Sequence, residues 1–464
     1  MLFSSVTFLY AFLPLTLLAY FAAPKRLRNG VLLAVSLIFY FFGEPVWVVL
    51  LLLSSVSDYA WSLLIEKHRE TPKKAKVFLI ASIVVNLGLL GFFKYADFLI
   101  GTVNSLLGTS IPLTGVALPI GISFFTFQTM SYTIDVYRGK AHAQKNFLTL
   151  ATFVCLFPQL IAGPIVRYTD VAAELEDRRS TLDGIALGFR RFAFGLGKKV
   201  LLANAMGELC AAFRASKDQS VLFFWIYAAA FTLQIYFDFS GYSDMAIGLG
   251  RVFGFQFPEN FNYPYISRSI TEFWRRWHMT LGGWFRDYVY IPLGGNRVSK
   301  GKWMRNLAVV WLLTGLWHGA SWNFVLWGAL FGVLLMLEKL WLGDWLSRRP
   351  RFFQHLYVLL LVVISFVIFN ADGLSGVRSD LAGLFGLSGL PAVSFDALYY
   401  LRSYGVLLLV CIVGAMPLGK RLYARVENAR VMTVLEPVVV AALLAAVTAS
   451  LVDGSFNPFL YFRF

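Results

Sequence analysis

Charge is scarce in this sequence. Only 14% of its 464 residues are Asp, Glu, Lys or Arg, against about a quarter in an ordinary soluble domain, so a fully solvated surface cannot be built from it. Cysteine is scarcer still: Cys155, Cys210 and Cys411 are odd in number, lie within apolar segments and form no CxxC. That pattern argues against a disulfide framework and against a thiolate metal site. There are five histidines and no HxxH or HxxxH among them, which removes the multi-histidine di-iron centres of membrane desaturases. A GxSxG nucleophile elbow and a GxxxxGK[ST] phosphate loop are also missing, and with them two common routes to hydrolase and nucleotide chemistry. No linker, low-complexity tract or internal repeat breaks the chain.

What is present in quantity is oil. Hydrophobic residues make up 58% of the chain and aromatics 17%, and the mean hydropathy is +0.66. The apolar stretches recur from end to end, so the expectation is an all-α polytopic integral membrane protein, a single multi-pass domain over 1–464 with its catalytic core at about 115–340. The lipid bilayer is then its first partner. The net charge of +15 does not imply nucleic acid, because the basic residues sit in short loops between apolar spans, as the positive-inside rule requires. Some of them are also available to an anionic donor or to anionic lipid heads.

Charge placement gives a topology. The N-terminal run MLFSSVTFLYAFLPLTLLAYFAAPKR lacks a basic n-region and a small-residue cleavage site, so it reads as a retained first span over 2–23. The loop with Lys25, Arg26 and Arg28 should be cytoplasmic, which puts the N-terminus outside. Residues 30–43 and 45–64 make a hairpin ending at the cytoplasmic EKHRETPKKAK, and 77–92 return outward to Lys94 and Tyr95. Two further segments, PIGISFFTFQTMSYTIDVYRG and FVCLFPQLIAGPIVRY, carry Pro119, Gly121, Pro158, Gly163 and Pro164. They are expected to be re-entrant or kinked, since broken helices at membrane depth survive only against protein or a water-filled cavity. The mixed stretch 178–199 suits an interfacial helix. Spans follow over 303–316, 323–340, 354–370, 399–416 and 434–452, with a Gly-rich external loop at 371–397 and the C-terminus outside. The scheme amounts to roughly eleven to thirteen membrane segments.

Chemistry concentrates between Gln234 and Gly328. There QIYFDFSGYSDMAIGLG places Asp238 and Asp244 around FSGYS, where Gly241 is expected to interrupt a helix, and Gln234 lies one turn before Asp238. These groups suit internal hydrogen bonding across a broken helix, or help in orienting a base or a substrate hydroxyl. In TEFWRRWHMTLGGWFRDY, helical spacing gathers Trp274, Trp277, His278, Leu281, Trp284 and Tyr288 on one side. Arg275, Arg276 and Arg286 fall on the other, as in an amphipathic helix at a membrane face. Such a helix is either a basic anchor or a site for donor phosphates, which guanidinium groups match. In WLLTGLWHGASW, the faces of Trp311, Gly315, His318 and Trp322 coincide, with a thin gap expected at Gly315 and Gly319. A histidine inside a membrane with no nucleophile of its own is suited to act as a general base on a substrate hydroxyl.

Taken in order, QIYFDFSGYSDMAIGLG, ENFNYPYISRSITEFWRRWHMTL and GLWHG resemble the membrane-bound O-acyltransferase family, and within it the bacterial alginate O-acetylation branch. The D-alanyl transferases of teichoic acid are a more distant likeness. The resemblance extends over about 1–340 through PIGISFFTFQTMSYTIDVYRG, FPQLIAGPIVR and the initial MLFSS, and weakens in the tail. It implies that His318 is the catalytic histidine and that His278 faces it across a chamber. It also implies a ring of helices around a thinned centre, where a cytoplasmic donor opening and an outer funnel meet at His318. The loop with Arg297, Lys300, Lys302 and Arg305 falls on the donor side.

The resulting expectation is acyl transfer, acetyl foremost, from a cytoplasmic thioester to a hydroxyl on the outer side, for exopolysaccharide O-acetylation such as that of alginate, in a bacterial cytoplasmic membrane. His318 is the base, and oxyanion donors come from His278, Trp317, Trp322 or Asn323. Arg275 and Arg276 hold donor phosphates, while Gln234 and Asp238 assist. No bound cofactor or metal is implied; acetyl-CoA or an acyl carrier protein thioester is the donor, and an extracytoplasmic acetyl-accepting protein is the expected partner. Two alternatives stand: a different acceptor (teichoic acid, peptidoglycan or a lipid), and, in another class, a solute transporter or channel working through Asp238 and Asp244.

Overall fold

In the computed structural model, which describes residues 1–427, 429–454, 459 and 460, every regular element is helical. Seven helices among the described residues are long and apolar enough to cross a membrane: Val48–Lys67, Pro72–Leu107, Val221–Val252, Trp322–Ser347, Arg351–Asn370, Phe395–Gly414 and Met432–Asp453. The protein is therefore a polytopic membrane protein. The remaining expected segments are shorter helices, such as Phe8–Ala22 and Arg28–Phe41. The chain forms two compact units, Met1–Phe192 with Ser243–Pro258, and Ala193–Tyr242 with Glu259–Phe464.

The first unit shows how lipid reverses the usual polarity of a helix. Along Val48–Lys67 the buried face is Leu51, Ser54, Ser55, Asp58, Ser62 and Ile65, a spacing of three and four, while Val49, Leu53 and Val56 are exposed. Polar groups turned inward find each other: Asp58 accepts Ser82 Oγ at 2.8 Å and Asn86 Nδ2 at 2.9 Å, joining this helix to the next. Ile122–Tyr137 packs against both and is buried from Ile122 to Val136. The helix after the first hairpin does not stop at Lys94 and Tyr95. It passes through a π-turn at Gly91–Tyr95 and continues to Leu107, with Lys94 turned inward so that Nζ donates to Ser123 Oγ at 3.1 Å.

Of the two proline- and glycine-marked segments the second is broken as expected, whereas Pro119 and Gly121 of the first only precede an unbroken helix, Ile122–Tyr137; the two segments meet. Gly121 starts its helix with φ of +80°, and a Cβ there would sit 2.8 Å from the Leu160 carbonyl. The second segment leaves its helix at Leu156, turns once through Phe157–Leu160 and runs on without regular structure. Its backbone is buried in protein throughout, which is how irregular chain is tolerated at this depth.

The stretch expected to be an interfacial helix is helical: Leu182–Gly197 runs into a π-turn at Lys198–Ala203 and then Asn204–Ala215, and two of the cations of the stretch are paired. Arg191 pairs with Asp244 at 2.9 Å in the first unit, and Lys199 with Asp238 at 2.6 Å in the second. Gly241 does not interrupt anything either: Val221–Val252 is one helix of 32 residues. The glycine serves contact, because a Cβ there would lie 2.7 Å from the Gly195 carbonyl. The Gly-rich loop at 371–397 contains a helix, Gly373–Leu384.

The second unit is centred on an antiparallel hairpin, Lys300–His318 and Trp322–Leu337. Small residues let the two backbones touch, as in membrane helix pairs generally. A Cβ at Gly315 would run into the Phe324 carbonyl, and one at Gly328 into the Trp311 carbonyl. Arg351–Asn370 packs on the second arm.

Candidate active site

The site lies in the second unit and begins with a departure from helical periodicity. The stretch 271–288 is not one amphipathic helix: Ile270–Trp274 ends, and a new helix opens at Met279–Phe285. The first piece is capped by Ser269 Oγ, which accepts Glu272 N–H at 3.0 Å. Its leading N–H groups of Ile270 and Thr271 are taken by the buried Glu338 carboxylate at 2.6 and 2.9 Å. Between the pieces His278 takes φ 43° and ψ 53°, one of only two non-glycine residues with positive φ among those described. A left-handed histidine costs of order 1–3 kcal/mol and persists only where its surroundings over-determine it.

Those surroundings come from the ENFN motif. Asn260, fully buried, accepts Met279 N–H on its carbonyl at 2.9 Å, while Asn262 N–H donates to the Arg276 carbonyl at 2.9 Å. The Asn260 side chain completes the hold: its Oδ1 accepts Thr280 Oγ1 at 2.9 Å and lies 3.1 Å from His278 Nδ1. The Phe239 ring meets the imidazole edge-on at 4.7 Å.

His318 closes the first arm of the hairpin and is 3% exposed. Aromatic rings surround it, with centroids at 5.0 Å for Trp317, 5.0 Å for Trp327 and 5.3 Å for Phe369. Trp317 also lies 5.8 Å from His278, so one indole borders both histidines. The expected gap beside Gly319 is filled, because a Cβ there would strike the Phe324 ring.

A cavity of about 550 Å³ adjoins His278 and is lined at its other parts by Arg275, Arg286, Trp274, Trp311 and Thr314. Arg275 is exposed. Arg286 keeps one guanidinium edge on Asp287 at 2.7 Å, which raises its pKa. Arg276, expected beside Arg275, is instead paired with Glu272 at 2.9 Å and donates to the Asn262 carbonyl at 3.1 Å. Burial pushes the Glu272 carboxyl up, but the Arg268 N–H and the Arg276 guanidinium outweigh it and hold its pKa below the ordinary value.

The other candidates fall elsewhere. Trp322 is 46% exposed and belongs to the second arm of the hairpin, because the helix stops at His318; the shared face with Trp311 and His318 does not form. Asn323 spends its amide N–H groups on the carbonyls of Phe369 and Ala371, each at 3.1 Å, and so fixes the Phe369 ring beside His318. Asp238 accepts Lys199 at 2.6 Å and the Leu460 N–H at 3.0 Å, and Gln234 packs on Gly207. Both stand in the helix scaffold. The residues that sequence reasoning passed over are Asn260, Arg286 as a cavity wall, Phe369, and Trp327, whose buried Nε1 has no acceptor among the described residues. Asn260 was visible in its motif; Trp327 was hidden by the regular oiliness of its helix. Among the described residues no group of three His, Cys, Asp or Glu could hold a metal ion.

Known proteins carry the same arrangement of sequence. The membrane-bound O-acyltransferase family model matches residues 46–376. The chain is 38% identical to a probable alginate O-acetylase of Azotobacter vinelandii over the full length of both. It is 45% identical to a probable alginate O-acetylase of Pseudomonas aeruginosa, over 81% of this chain and 73% of that one. With a peptidoglycan O-acetyltransferase of Helicobacter pylori it shares 36% identity over 84% of this chain and 81% of the relative. The chain belongs to the membrane-bound O-acyltransferase family, in its alginate O-acetylation branch, and is an O-acyltransferase of the membrane.

Proposed function

We propose that the protein transfers an acetyl group from a cytoplasmic thioester, acetyl-CoA or an acyl carrier protein, to a hydroxyl presented on the outer side of a bacterial cytoplasmic membrane. The observation that carries this reading is the cavity that runs from Arg275 and Arg286 to His278. Its lining brings guanidinium groups suited to phosphates together with an imidazole held in an uncommon backbone conformation.

His318 acts as the base. It is buried among Trp317, Trp327 and Phe369, and a ring nitrogen there is suited to take a proton from a substrate hydroxyl. As the acceptor oxygen bonds to the thioester carbonyl carbon, the hydroxyl proton passes to His318; the C–S bond then breaks and the proton leaves on the thiol. The transient oxyanion is met by indole N–H groups, Trp317 and Trp327, in a dry surrounding where such donors count most. His278 is the second catalytic residue. Trp322 and Asn323 act from outside this contact, Asn323 through Phe369; Arg276, Gln234 and Asp238 support the scaffold around it.

The acceptor side is an extracytoplasmic protein that passes acetyl to an exopolysaccharide such as alginate, with both termini of this chain outside. The likeness to a peptidoglycan O-acetyltransferase favours peptidoglycan as the second reading. The transporter reading loses its footing, since Asp238 and Asp244 are each neutralised by a cation.

The test is thiol release from acetyl-CoA by the purified protein in detergent, wild type against His318→Ala, with and without membrane-stripped envelope extract as acceptor. Release that requires His318 and rises with extract supports the proposal. Equal background in both proteins, with acetyl-CoA and with acyl carrier protein thioesters, overturns it.

A further inference from the structure

The ENFN motif contributes a side chain that the reaction as written does not use. Asn260 Oδ1 lies 3.1 Å from His278 Nδ1, 2.9 Å from Thr280 Oγ1 and 3.3 Å from the Thr280 backbone nitrogen. The backbone N–H can only donate, so the Asn260 atom facing it must be the oxygen and not the amide nitrogen. An oxygen there accepts from His278 as well, so Nδ1 carries the imidazole proton. In the neutral ring Nε2 then bears the lone pair.

We infer that Asn260 is a positioning residue that holds His278 as its Nδ1–H tautomer, so that Nε2 meets the reacting groups as a proton acceptor. The inference rests on His278 being catalytic, as proposed above, and deepens it. A ring in this state cannot offer an N–H to the oxyanion until Nε2 has itself taken up a proton, which leaves the first contact with the oxyanion to Trp317 and Trp327. The main-chain carbonyl of the same residue supports the left-handed turn by accepting Met279 N–H at 2.9 Å. Tautomer and backbone strain are therefore set by one residue. Partners that fix the rings of metal-bound histidines contribute about 10–100-fold, and an effect of the same order is expected here.

The tautomer is measured directly by solid-state ¹⁵N NMR of ring-labelled histidine in the full-length protein, with the His278 signals assigned by their loss in His278→Gln. The expected wild-type result is a protonated Nδ1 and an unprotonated Nε2. Asn260→Ala should give mixed tautomers, and Asn260→Asp, of the same shape and still an acceptor, should keep the wild-type pattern. A wild-type ring protonated at Nε2, or one unchanged in Asn260→Ala, overturns the inference.

The kinetic arm uses the thiol-release assay with acetyl-CoA. Asn260→Ala is expected to lower kcat about 10–100-fold with the donor KM unchanged. Asn260→Asp should restore most of it, and neither change should matter further in a His278→Gln background. Full additivity with His278→Gln would sink the idea. Should Asn260→Ala fail to fold, the wild-type tautomer and the Asn260→Asp spectrum still decide it. Absence of thiol release in wild type would speak against the donor reading alone, because the NMR result does not depend on it.

Discussion

Two regions of the second unit bury polar groups in opposite ways. On the helix Val221–Val252, Asp238 is answered by a cation: Lys199 lies at 2.6 Å, with both side chains 2% exposed. Asp244, further along the same helix and within the first unit, is answered likewise by Arg191 at 2.9 Å. In the stretch from Asn260 to His318, His278 is met by a neutral amide and His318 by aromatic rings, and His278 sits in strained backbone beside a cavity. A buried charge cancelled by its opposite is a fixed joint, costly to break and without freedom to move a proton. A buried imidazole set against a neutral amide or aromatic rings offers ring nitrogens that can both donate and accept, the chemistry that acid–base catalysis uses.

The largest expected effect tests the second region. His318→Ala should lower thiol release by about two to four powers of ten while leaving the thermal unfolding midpoint in detergent near wild type. The reverse pattern is expected on the helix. Lys199→Met leaves Asp238 uncompensated and should cost about 3–5 kcal/mol of stability, seen as a lowered midpoint and poor yield. Activity per folded molecule should be kept, and Lys199→Met with Asp238→Leu should recover much of the lost stability. If Lys199→Met instead abolished activity in a protein of normal stability, the division between the two regions would be wrong.

Next in size is Trp327→Phe, which removes the indole N–H and keeps an aromatic ring beside His318. A fall of about 10²-fold in kcat is expected, in line with the loss of one oxyanion donor. Trp322→Ala, in an exposed position, should leave kcat near wild type. Equal effects of the two would return the donor role to the position that sequence spacing favoured.

These contrasts also mark what was legible in the sequence. Membrane class and the span positions after 300 could be read because hydropathy, turn residues and charged loops report a one-dimensional property. The break at His278 could not. Nothing in WRRWHM ends a helix, and the turn is imposed by Asn260 from earlier in the chain, a tertiary hold that overrides local propensity. Gly241 misled in the other direction. A glycine with open backbone choices looks like a break, but here it allows close approach to the Gly195 carbonyl. Lys199 and Asp238 were both noticed, yet pairing across separate helices leaves no periodic trace, so a neutralised joint read as a candidate site.

The smallest expected effect separates two neighbouring arginines that the sequence treats alike. Arg275 is exposed and lines the cavity, whereas Arg276 has its guanidinium on Glu272 and the Asn262 carbonyl. A charge-assisted bond to a phosphate is worth about 1.5–3 kcal/mol where it is dry, and less at an open mouth where salt screens it. Arg275→Gln should therefore raise the donor KM by roughly three- to tenfold, with kcat little changed and the difference shrinking as ionic strength rises. Arg276→Gln should leave the donor KM near wild type and act instead on stability, by no more than about 1 kcal/mol for a half-exposed pair. A KM effect of Arg276→Gln as large as that of Arg275→Gln would mean that the Glu272 pair opens when donor binds. The cavity at His278 would then be only the resting part of the donor site.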